Sequence, residues 1–194
     1  MTWTSTVSMV NLIIDEIKVN VAEGTTILEA ALQAGIYIPH ICSHPDLPPV
    51  ETLKPAEAVY RGQTRIENKK PDLKYDGCQL CMVEIEGRDG LHRACNTPVA
   101  EGMVVCTRTD RVERMRLEAL KLLLVNHPLD CPVCDAGGEC QLQNRTYEFG
   151  IASNEFTREE IERPSIEYGT PLIKQWFDRC VMCLRCVHAC IDVP

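Results

Sequence analysis

The chain has 194 residues, enough for one domain or for two to three small ones but too few for a large catalytic barrel. Its 45% apolar and 25% charged residues are ordinary for a folded protein, which excludes a disordered tail and a membrane protein. The 28 acidic and 20 basic residues give a net charge of −8, which argues against nucleic acid as a partner. The unusual feature is the number of cysteines, which is 12.

The role of these cysteines depends on the cellular compartment, because disulfides persist only where conditions are oxidising. Residues 1–10 carry no positive charge and precede alternating polar and apolar residues, which is not the pattern of a secretory signal. No apolar run approaches the roughly 18 residues that a membrane-spanning helix needs. We therefore expect a soluble, cytoplasmic protein without membrane insertion, whose cysteines are metal ligands.

The first predicted elements are a β-hairpin and a helix. Residues 12–14 and 17–21 are rich in aliphatic side chains, and the residue pair 15–16 between them predicts the turn. Thr26 followed three residues later by Glu29 is a capping-box pattern that precedes an apolar helical stripe. The order is therefore strand, strand, helix.

Further strands are predicted after this helix. Residues 83–85 alternate between apolar and polar, residues 87–90 predict a turn, and residues 91–94 and 103–107 are two more strand candidates. Up to about residue 108, the pattern predicts a small mixed sheet with one helix packed across it, an α+β arrangement.

The rest of the chain is predicted to contain two helices and a linker. Residues 109–126 predict a helix that Pro128 ends. Apolar residues at helical spacing predict one core-facing stripe, made of Val112, Met115, Ala119, Leu122 and Leu123. A short helix is predicted at 139–147, and residues 151–173 are predicted to be a linker.

The most specific motif is a compact run of four cysteines near the end of the chain. Its spacings of two, two and three residues match the bacterial ferredoxin run. Iron bridged by sulfide prefers thiolate ligands, whereas zinc sites usually use two separated pairs, so the run favours a [4Fe–4S] cluster. Its members are Cys180, Cys183, Cys186 and Cys190.

A second group contains His127, Cys131, Cys134 and Cys140. A lone histidine near a helix end usually interacts with the helix dipole in solvent. Here three cysteines follow within thirteen residues and need a fourth ligand, so His127 is a candidate. From spacing alone, zinc held by three cysteines and one histidine remains open beside an iron–sulfur cluster.

A more dispersed group contains Cys42, Cys78, Cys81 and Cys95. Plant-type [2Fe–2S] sites combine an isolated cysteine, a C-x2-C pair and a remote cysteine. Gly77, which precedes the pair, would let the loop approach a cluster closely. A Rieske site is not indicated, because no C-x2-H pair follows later in the chain.

The remaining cysteine, Cys106, has no partner spacing and is interpreted as an inert buried thiol. Without it, eleven cysteines and His127 make three groups of four, here named in chain order the first, second and third ligand sets. This division is not decisive, because in two-cluster ferredoxins the fourth cysteine of a run serves the other cluster.

Three longer motifs carry a resemblance to known proteins. They are GCQLC at 77–81, ACNTPVAEGM at 94–103, and NHPLDCPVC at 126–134 followed by GECQLQ at 138–143. In this order they resemble the N-terminal iron–sulfur region shared by the complex I 75 kDa subunit, the small diaphorase subunit of NAD-reducing hydrogenases, FeFe hydrogenases and the large subunits of NAD-dependent formate dehydrogenases. The resemblance covers nearly the whole chain.

The resemblance implies three parts. Residues 9–108 would form a β-grasp [2Fe–2S] ferredoxin-like domain with a long insertion at 43–77. Residues 109–150 would form a helical [4Fe–4S] segment with one histidine and three cysteine ligands. Residues 151–194 would contain the linker and the start of a bacterial-ferredoxin-like [4Fe–4S] domain, which is incomplete.

The resemblance also implies which residues hold which cluster. The first ligand set would hold the [2Fe–2S] cluster, and the second a [4Fe–4S] cluster. Cys180, Cys183 and Cys186 would supply three ligands of another [4Fe–4S] cluster. Cys190 would bind a further [4Fe–4S] cluster or the same one.

Two features depart from the family pattern. Thirty-five residues separate Cys42 from Cys78, where the family usually has a much shorter loop. We expect an ordered or semi-ordered surface excursion there rather than a second core. Its functional interpretation is a docking element for a partner subunit, and the alternative is a structural segment. The sequence also ends four residues after Cys190, before the family's second cysteine run. Either the sequence is truncated, or Cys190 or a partner completes the third site.

These patterns predict an electron-transfer subunit or module with no catalytic site of its own, since no Gly-x-Gly-x-x-Gly fingerprint and no nucleophile–base constellation is present. The resemblance implies that it would relay single electrons between an NAD(P)H-oxidising flavoprotein subunit and a catalytic redox subunit, in a complex of NADH dehydrogenase, hydrogenase or formate dehydrogenase type. The alternative is a zinc-dependent interaction module, which would be colourless and contain no labile sulfide. A disulfide scaffold would contain no metal.

Overall fold

The computed structural model describes residues 8–49, 56–61, 63–69, 72, 75–125, 127–153 and 179–192. They fall into two compact units, the first within Met1–His40 and Gln79–Ala119 and the second within Ile41–Cys78 and Leu120–Pro194. Most of the predicted linker at 151–173 lies outside the described residues.

The strands are β1 (Met9–Ile14), β2 (Ile17–Ala22), β3 (Ala58–Arg61), β4 (Thr64–Glu67), β5 (Met82–Ile85), β6 (His92–Arg93) and β7 (Val104–Cys106). The α-helices are α1 (Ile27–Gln33), α2 (Asp110–Leu124), α3 (Gln141–Glu148) and α4 (Arg185–Asp192), and Cys131–Val133 forms a short 3-10 helix. None of the helices in the described residues combines the length and the apolar character needed to cross a membrane.

The first unit is built on a five-stranded mixed sheet in the order β2-β1-β7-β5-β6. Strand β1 pairs antiparallel with β2 and parallel with β7, where Ile13 lies opposite Val104. Strand β5 pairs antiparallel with both β7 and β6. The predicted α+β arrangement is therefore confirmed, although β6 spans only two of the four residues predicted for it.

Local signals account for the first three elements as predicted. Asp15 and Glu16 have φ angles of 47° and 70°, the positive values that a tight two-residue hairpin turn requires. The Thr26 hydroxyl accepts a hydrogen bond from the Glu29 N–H at 3.3 Å, and the Glu29 carboxylate accepts one from the Thr26 N–H at 2.9 Å. This reciprocal pair satisfies two backbone donors and sets the start of α1.

The core of the first unit gathers the inward-facing side chains of β1, β2, α1, β5 and β7. Strand β1 alternates between exposed and covered positions, so that its even-numbered residues are buried. Burial of each large aliphatic side chain contributes about 1.5–3 kcal/mol to the free energy of folding. The core members from β1 and α1 are Val10, Leu12, Ile14, Ile27, Leu28, Ala30 and Ala31.

The predicted helix after residue 108 is confirmed as α2, but its buried face differs from the predicted stripe. Leu122, which was predicted to face the core, is 65% exposed, whereas Arg116 is 1% exposed. Residues 112, 116, 120 and 124 form the buried line, spaced by four residues. The prediction was wrong for Leu122, whereas Val112 and Ala119 are buried as predicted. Arg116 was not part of the predicted stripe, and it is buried because its guanidinium finds acceptors there.

The described part of the second unit contains the β3–β4 hairpin and the helices α3 and α4. Strands β3 and β4 pair antiparallel, with Val59 opposite Ile66. Val59, Tyr60 and Ile66 are all exposed, which agrees with a surface excursion within the 43–77 insertion. Helix α3 corresponds to the short helix predicted at 139–147.

Candidate iron–sulfur sites

The second unit brings together two members of the first ligand set, Cys42 and Cys78. Both side chains are buried, and the Cys78 N–H donates a hydrogen bond to the Cys42 Sγ at 3.5 Å. Gly77 has a φ of +73°, and a Cβ there would lie 3.1 Å from the Cys42 Sγ. A side chain at position 77 would therefore occupy space beside the sulfur, so the backbone approaches the thiol as the sequence predicted for this glycine.

The other two members, Cys81 and Cys95, belong to the first unit. Cys81 is 1% exposed and lies in the apolar core, and Cys95 packs against that core. The Ala94 N–H donates to the Cys81 carbonyl at 2.9 Å, which ties the loop after Cys78 to the segment that carries Cys95. Gln79 has a φ of 57°, the left-handed conformation that lets this loop turn within two residues.

Arg116 holds the Cys81 loop from helix α2. Its Nε donates to the Leu80 carbonyl and its Nη2 to the Met82 carbonyl, each at 2.9 Å. Its Nη1 pairs with Glu113 at 3.0 Å. Burial lowers the pKa of the Arg116 guanidinium, and the neighbouring Glu113 carboxylate opposes that shift. Arg116 was not predicted as a functional residue, although its position four residues from Val112, on the same helix face, was a usable signal.

The second ligand set lies around one cavity in the second unit. His127, Cys131, Cys134 and Cys140 all line it, together with Leu124 and other apolar groups. The Cys134 N–H donates to the Cys131 carbonyl at 3.2 Å, which forms the tight turn between these two cysteines. A Cβ on Gly137 would lie 2.8 Å from the Cys131 carbonyl oxygen, so only glycine fits this turn without a shift.

The third ligand set lies on a loop and on helix α4. The Met182 N–H donates to the Cys180 Sγ at 3.4 Å, and Met182 and Leu184 have φ angles of 56° and 60°. Met182 and Leu184 flank Cys183, and their left-handed backbone conformation bends the loop that carries Cys180 and Cys183. Cys186 and Cys190 lie one helical turn apart on α4, and both are exposed.

Tyr75 lies beside members of two ligand sets within the second unit, and the sequence analysis did not identify it. It is partly buried and interacts electrostatically with Cys42, Cys78, Cys180 and Cys183. Burial, followed by these neighbouring sulfurs, raises the pKa of its hydroxyl. The phenol therefore stays protonated and keeps an O–H donor near the thiols.

Cys106 lies at the end of β7 opposite Glu84, and it is exposed, so the prediction that it is buried was wrong. Partial burial raises the pKa of its thiol, and the carboxylates of Asp15 and Glu84 raise it further. A raised pKa reduces the thiolate fraction, which is the form that binds metal.

The ligand sets fit iron–sulfur clusters by the chemistry of their donors. They offer thiol groups with one imidazole, and N–H groups point at two of the sulfurs. In the described part of the chain, no group of three or more His, Cys, Asp or Glu side chains could hold a metal ion as it stands. Within the described residues, the structure therefore brings the predicted ligands into common loops and around cavities.

Two family models match this chain. The model described as "2Fe-2S iron-sulfur cluster binding domain" matches residues 7–50 and 68–110. The model described as "NADH-ubiquinone oxidoreductase-G iron-sulfur binding region" matches residues 116–155. The first match contains all four residues of the first ligand set and skips 51–67, where β3 and β4 lie. The second match contains all four residues of the second set.

The chain is also similar to longer proteins. It is 42% identical over 179 residues to "NADPH-Fe(3+) oxidoreductase subunit alpha" of Geobacter sulfurreducens, covering 92% of this chain and 18% of that protein. It is 37% identical over 186 residues to the G subunit of the NADH-quinone oxidoreductase of Rickettsia typhi, covering 95% of this chain and 24% of that protein. The chain thus spans a quarter or less of the length of these relatives.

A solved structure supports the same relationship. The crystal structure of an NAD+-reducing [NiFe]-hydrogenase in the H2-reduced state matches with a TM-score of 0.72 and 29% identity. The match covers 93% of this chain and 65% of that one. This chain therefore carries a [2Fe–2S] cluster binding domain followed by an NADH-ubiquinone oxidoreductase-G type [4Fe–4S] binding region, which together form the iron–sulfur region that these oxidoreductase subunits share.

Proposed function

We propose that the chain is an electron-transfer module that relays single electrons between an NAD(P)H-oxidising flavoprotein subunit and another redox subunit. The observation that carries the proposal is the succession of two cluster-binding family matches along one chain, followed by a third cysteine-rich segment. The relatives are named as subunits of oxidoreductases, which supports a place within a multi-subunit complex. The family matches favour this function over the zinc-dependent interaction module.

We assign ligands as the resemblance implies. Cys42, Cys78, Cys81 and Cys95 would hold the [2Fe–2S] cluster in a β-grasp domain. His127, Cys131, Cys134 and Cys140 would hold a [4Fe–4S] cluster. Cys180, Cys183 and Cys186 would hold another in the start of a bacterial-ferredoxin-like domain, with Cys190 serving the same or a further cluster.

Iron–sulfur clusters supply the ability to accept and release one electron at a time. The protein's own groups act on this chemistry in three ways. Thiolates anchor the iron, N–H groups such as that of Cys78 donate to the sulfurs, and apolar side chains such as Leu124 keep water away. Hydride chemistry and substrate turnover would belong to the partner subunits, and we place the complex in the cytoplasm.

Metal analysis of anaerobically purified protein tests this proposal. We expect a brown protein that contains iron and acid-labile sulfide in nearly equal amounts. On reduction it should show one [2Fe–2S] electron paramagnetic resonance (EPR) signal and at least one [4Fe–4S] signal. Zinc in place of iron, without labile sulfide, would overturn the proposal. Purification of the native complex with identification of its subunits would test the proposed partners.

A further inference from the structure

One arginine of the third cysteine segment contacts neighbours of the other two ligand sets within the second unit. Arg185 lies between Cys183 and Cys186, where helix α4 begins. Its Nη2 donates to the Ser43 carbonyl at 2.6 Å and to the Gln141 Oε1 at 3.1 Å.

These two acceptors are adjacent to cluster ligands along the chain. Ser43 directly follows Cys42 of the first ligand set, and Gln141 directly follows Cys140 of the second. A single guanidinium nitrogen has two N–H donors, which is the number that these two acceptors require. One side chain therefore links segments from all three ligand sets.

A second arginine makes a parallel connection. The Arg179 Nη2 lies 2.8 Å from the Asp130 Oδ2, and both side chains are partly covered, with 16% and 37% exposure. Arg179 directly precedes Cys180, and Asp130 directly precedes Cys131. This ion pair is a second link between segments that carry the second and third ligand sets.

Both arginines also line the space between these ligands. A cavity of about 490 Å³ in the second unit is bordered by Arg179, Arg185, His127, Cys134, Cys140 and Cys183. The Arg185 Nε is buried and has no hydrogen-bond partner among the described residues. The positive charge therefore lies at a partly dehydrated position beside ligands of two sets, where charge interactions are stronger than in water.

We propose that Arg185 is a positioning residue of the electron relay, which holds the three ligand-bearing segments of the second unit at fixed separations and places a positive charge between them. The inference depends on the proposed electron-transfer function. The rate of single-electron tunnelling falls steeply with distance, so a fixed separation keeps transfer fast. A nearby positive charge favours the reduced, more negative state of a cluster.

The test compares Arg185→Gln with the wild-type full chain, purified anaerobically with its clusters. The variant should keep its iron and sulfide, because Arg185 is not a ligand. Its [4Fe–4S] midpoint potentials should shift downward, and the magnetic interaction between reduced clusters in EPR spectra should weaken. Arg145→Gln is the matched control, because it removes the same charge from the same unit at a residue that pairs with Glu148 within α3.

Arg185→Lys separates charge from geometry. Lysine keeps the positive charge but lacks the planar guanidinium. The [4Fe–4S] midpoint potentials of this variant should therefore stay near the wild-type values, while the magnetic interaction between its clusters weakens. If Arg185→Gln loses iron, the Arg185→Lys variant tests the inference instead. A weaker magnetic interaction between its reduced clusters supports the inference, and an EPR spectrum identical to that of the wild type overturns it. The inference is also overturned if Arg185→Gln keeps its clusters and has the same midpoint potentials and the same magnetic interaction as Arg145→Gln. Wild-type protein without clusters would instead refute the proposed function.

Discussion

At the scale of single residues, the structure shows how backbone groups approach the sulfur atoms. Gly77 and Gly87 have nearly the same φ, +73° and +74°, but only Gly77 has a heavy atom within reach of an added Cβ. That atom is the Cys42 Sγ. Substitutions at these two glycines therefore distinguish two effects: the free-energy cost of a side chain on a left-handed backbone, and the additional effect of filling the space beside a thiol.

Alanine at these two positions should give different results. Gly87→Ala should cost about 1–2 kcal/mol of unfolding free energy through backbone strain and leave the iron content unchanged. Gly77→Ala should have the same strain and, in addition, lose or distort the [2Fe–2S] signal. Thermal unfolding and EPR spectra measure the two effects. Equal [2Fe–2S] signals in both variants would show that the contact with Cys42 is unimportant.

His127 decides whether the second ligand set holds its cluster with an imidazole. Because neutral imidazole carries less negative charge than thiolate, His127→Cys should keep a [4Fe–4S] cluster and lower its midpoint potential. His127→Ala should lose or weaken that cluster and leave the [2Fe–2S] signal intact. Iron counts and redox titrations check both variants. A histidine that only interacts with the helix end would change neither quantity, and that result would remove it from the ligand set.

Arg116 shows that a charged side chain can organise the core next to Cys81, a predicted cluster ligand. Arg116→Met leaves the Leu80 and Met82 carbonyls without their donor, so we expect a loss of about 3 kcal/mol in unfolding free energy. Arg116→Lys should lose less, because a lysine can reach one of the two carbonyls. Arg114→Met on the exposed face of α2 is the control, and urea unfolding is the measurement. Equal losses at 114 and 116 would contradict the role of the buried hydrogen bonds.

At the scale of elements, the β3–β4 hairpin lies in the part of the chain that the 2Fe–2S domain match skips. The 2Fe–2S domain match continues on both sides of residues 51–67, and the hairpin exposes Val59, Tyr60 and Ile66. Long surface loops can be shortened at small thermodynamic cost. The predicted role of the insertion as a docking element for a partner subunit therefore has a direct test.

Replacing residues 47–70 with a short Gly/Ser linker should leave the [2Fe–2S] spectrum largely intact and weaken association with the partner subunits. Affinity purification of the complex, followed by subunit quantification, measures association. A double variant, Val59→Thr with Ile66→Thr, keeps the hairpin and removes exposed aliphatic surface, so it should weaken association in the same direction. Loss of the cluster with unchanged association would instead make the segment structural.

At the scale of the whole molecule, the two units differ in what can stabilise them without metal. The main apolar core belongs to the first unit, whereas the described part of the second unit buries fewer large aliphatic side chains, namely Ile41, Leu120, Leu124 and Leu142. Ligand binding to a site that is absent in the unfolded chain adds its free energy to folding. The second unit should therefore depend more strongly on its clusters.

After iron is removed with an anaerobic chelator, the amide hydrogen-exchange rates of the two units should differ. Amides of β1 and β7 should keep their protection, because the sheet and its core need no metal. Amides of α3 and α4 should exchange much faster than in the loaded protein. Uniform protection in the apo-protein, or uniform loss, would contradict this difference between the units.

Local signals made much of the fold readable from the sequence. The hairpin turn at Asp15 and Glu16 and the capping box of Thr26 and Glu29 depend on residues at most three positions apart, so both predictions are confirmed. The cysteine spacings of the first ligand set likewise predicted the [2Fe–2S] type, whereas at the second set spacing left zinc open and the resemblance implied the [4Fe–4S] type; the family matches support both types. The assignment of each ligand stays a prediction.

The sequence by itself therefore determined the first hairpin, the helices α1 to α3, the α+β class and the metal-binding role of the cysteines, since these depend on short-range patterns and on the preference of iron for sulfur. It predicted neither the β3–β4 hairpin nor α4. Only the tertiary structure decided which face of α2 is buried and what its arginine contacts. It also decided that Arg185 reaches Ser43, 142 positions away along the chain. Such contacts join segments distant in sequence, and a charged side chain becomes a core or linking residue only where folding supplies its acceptors.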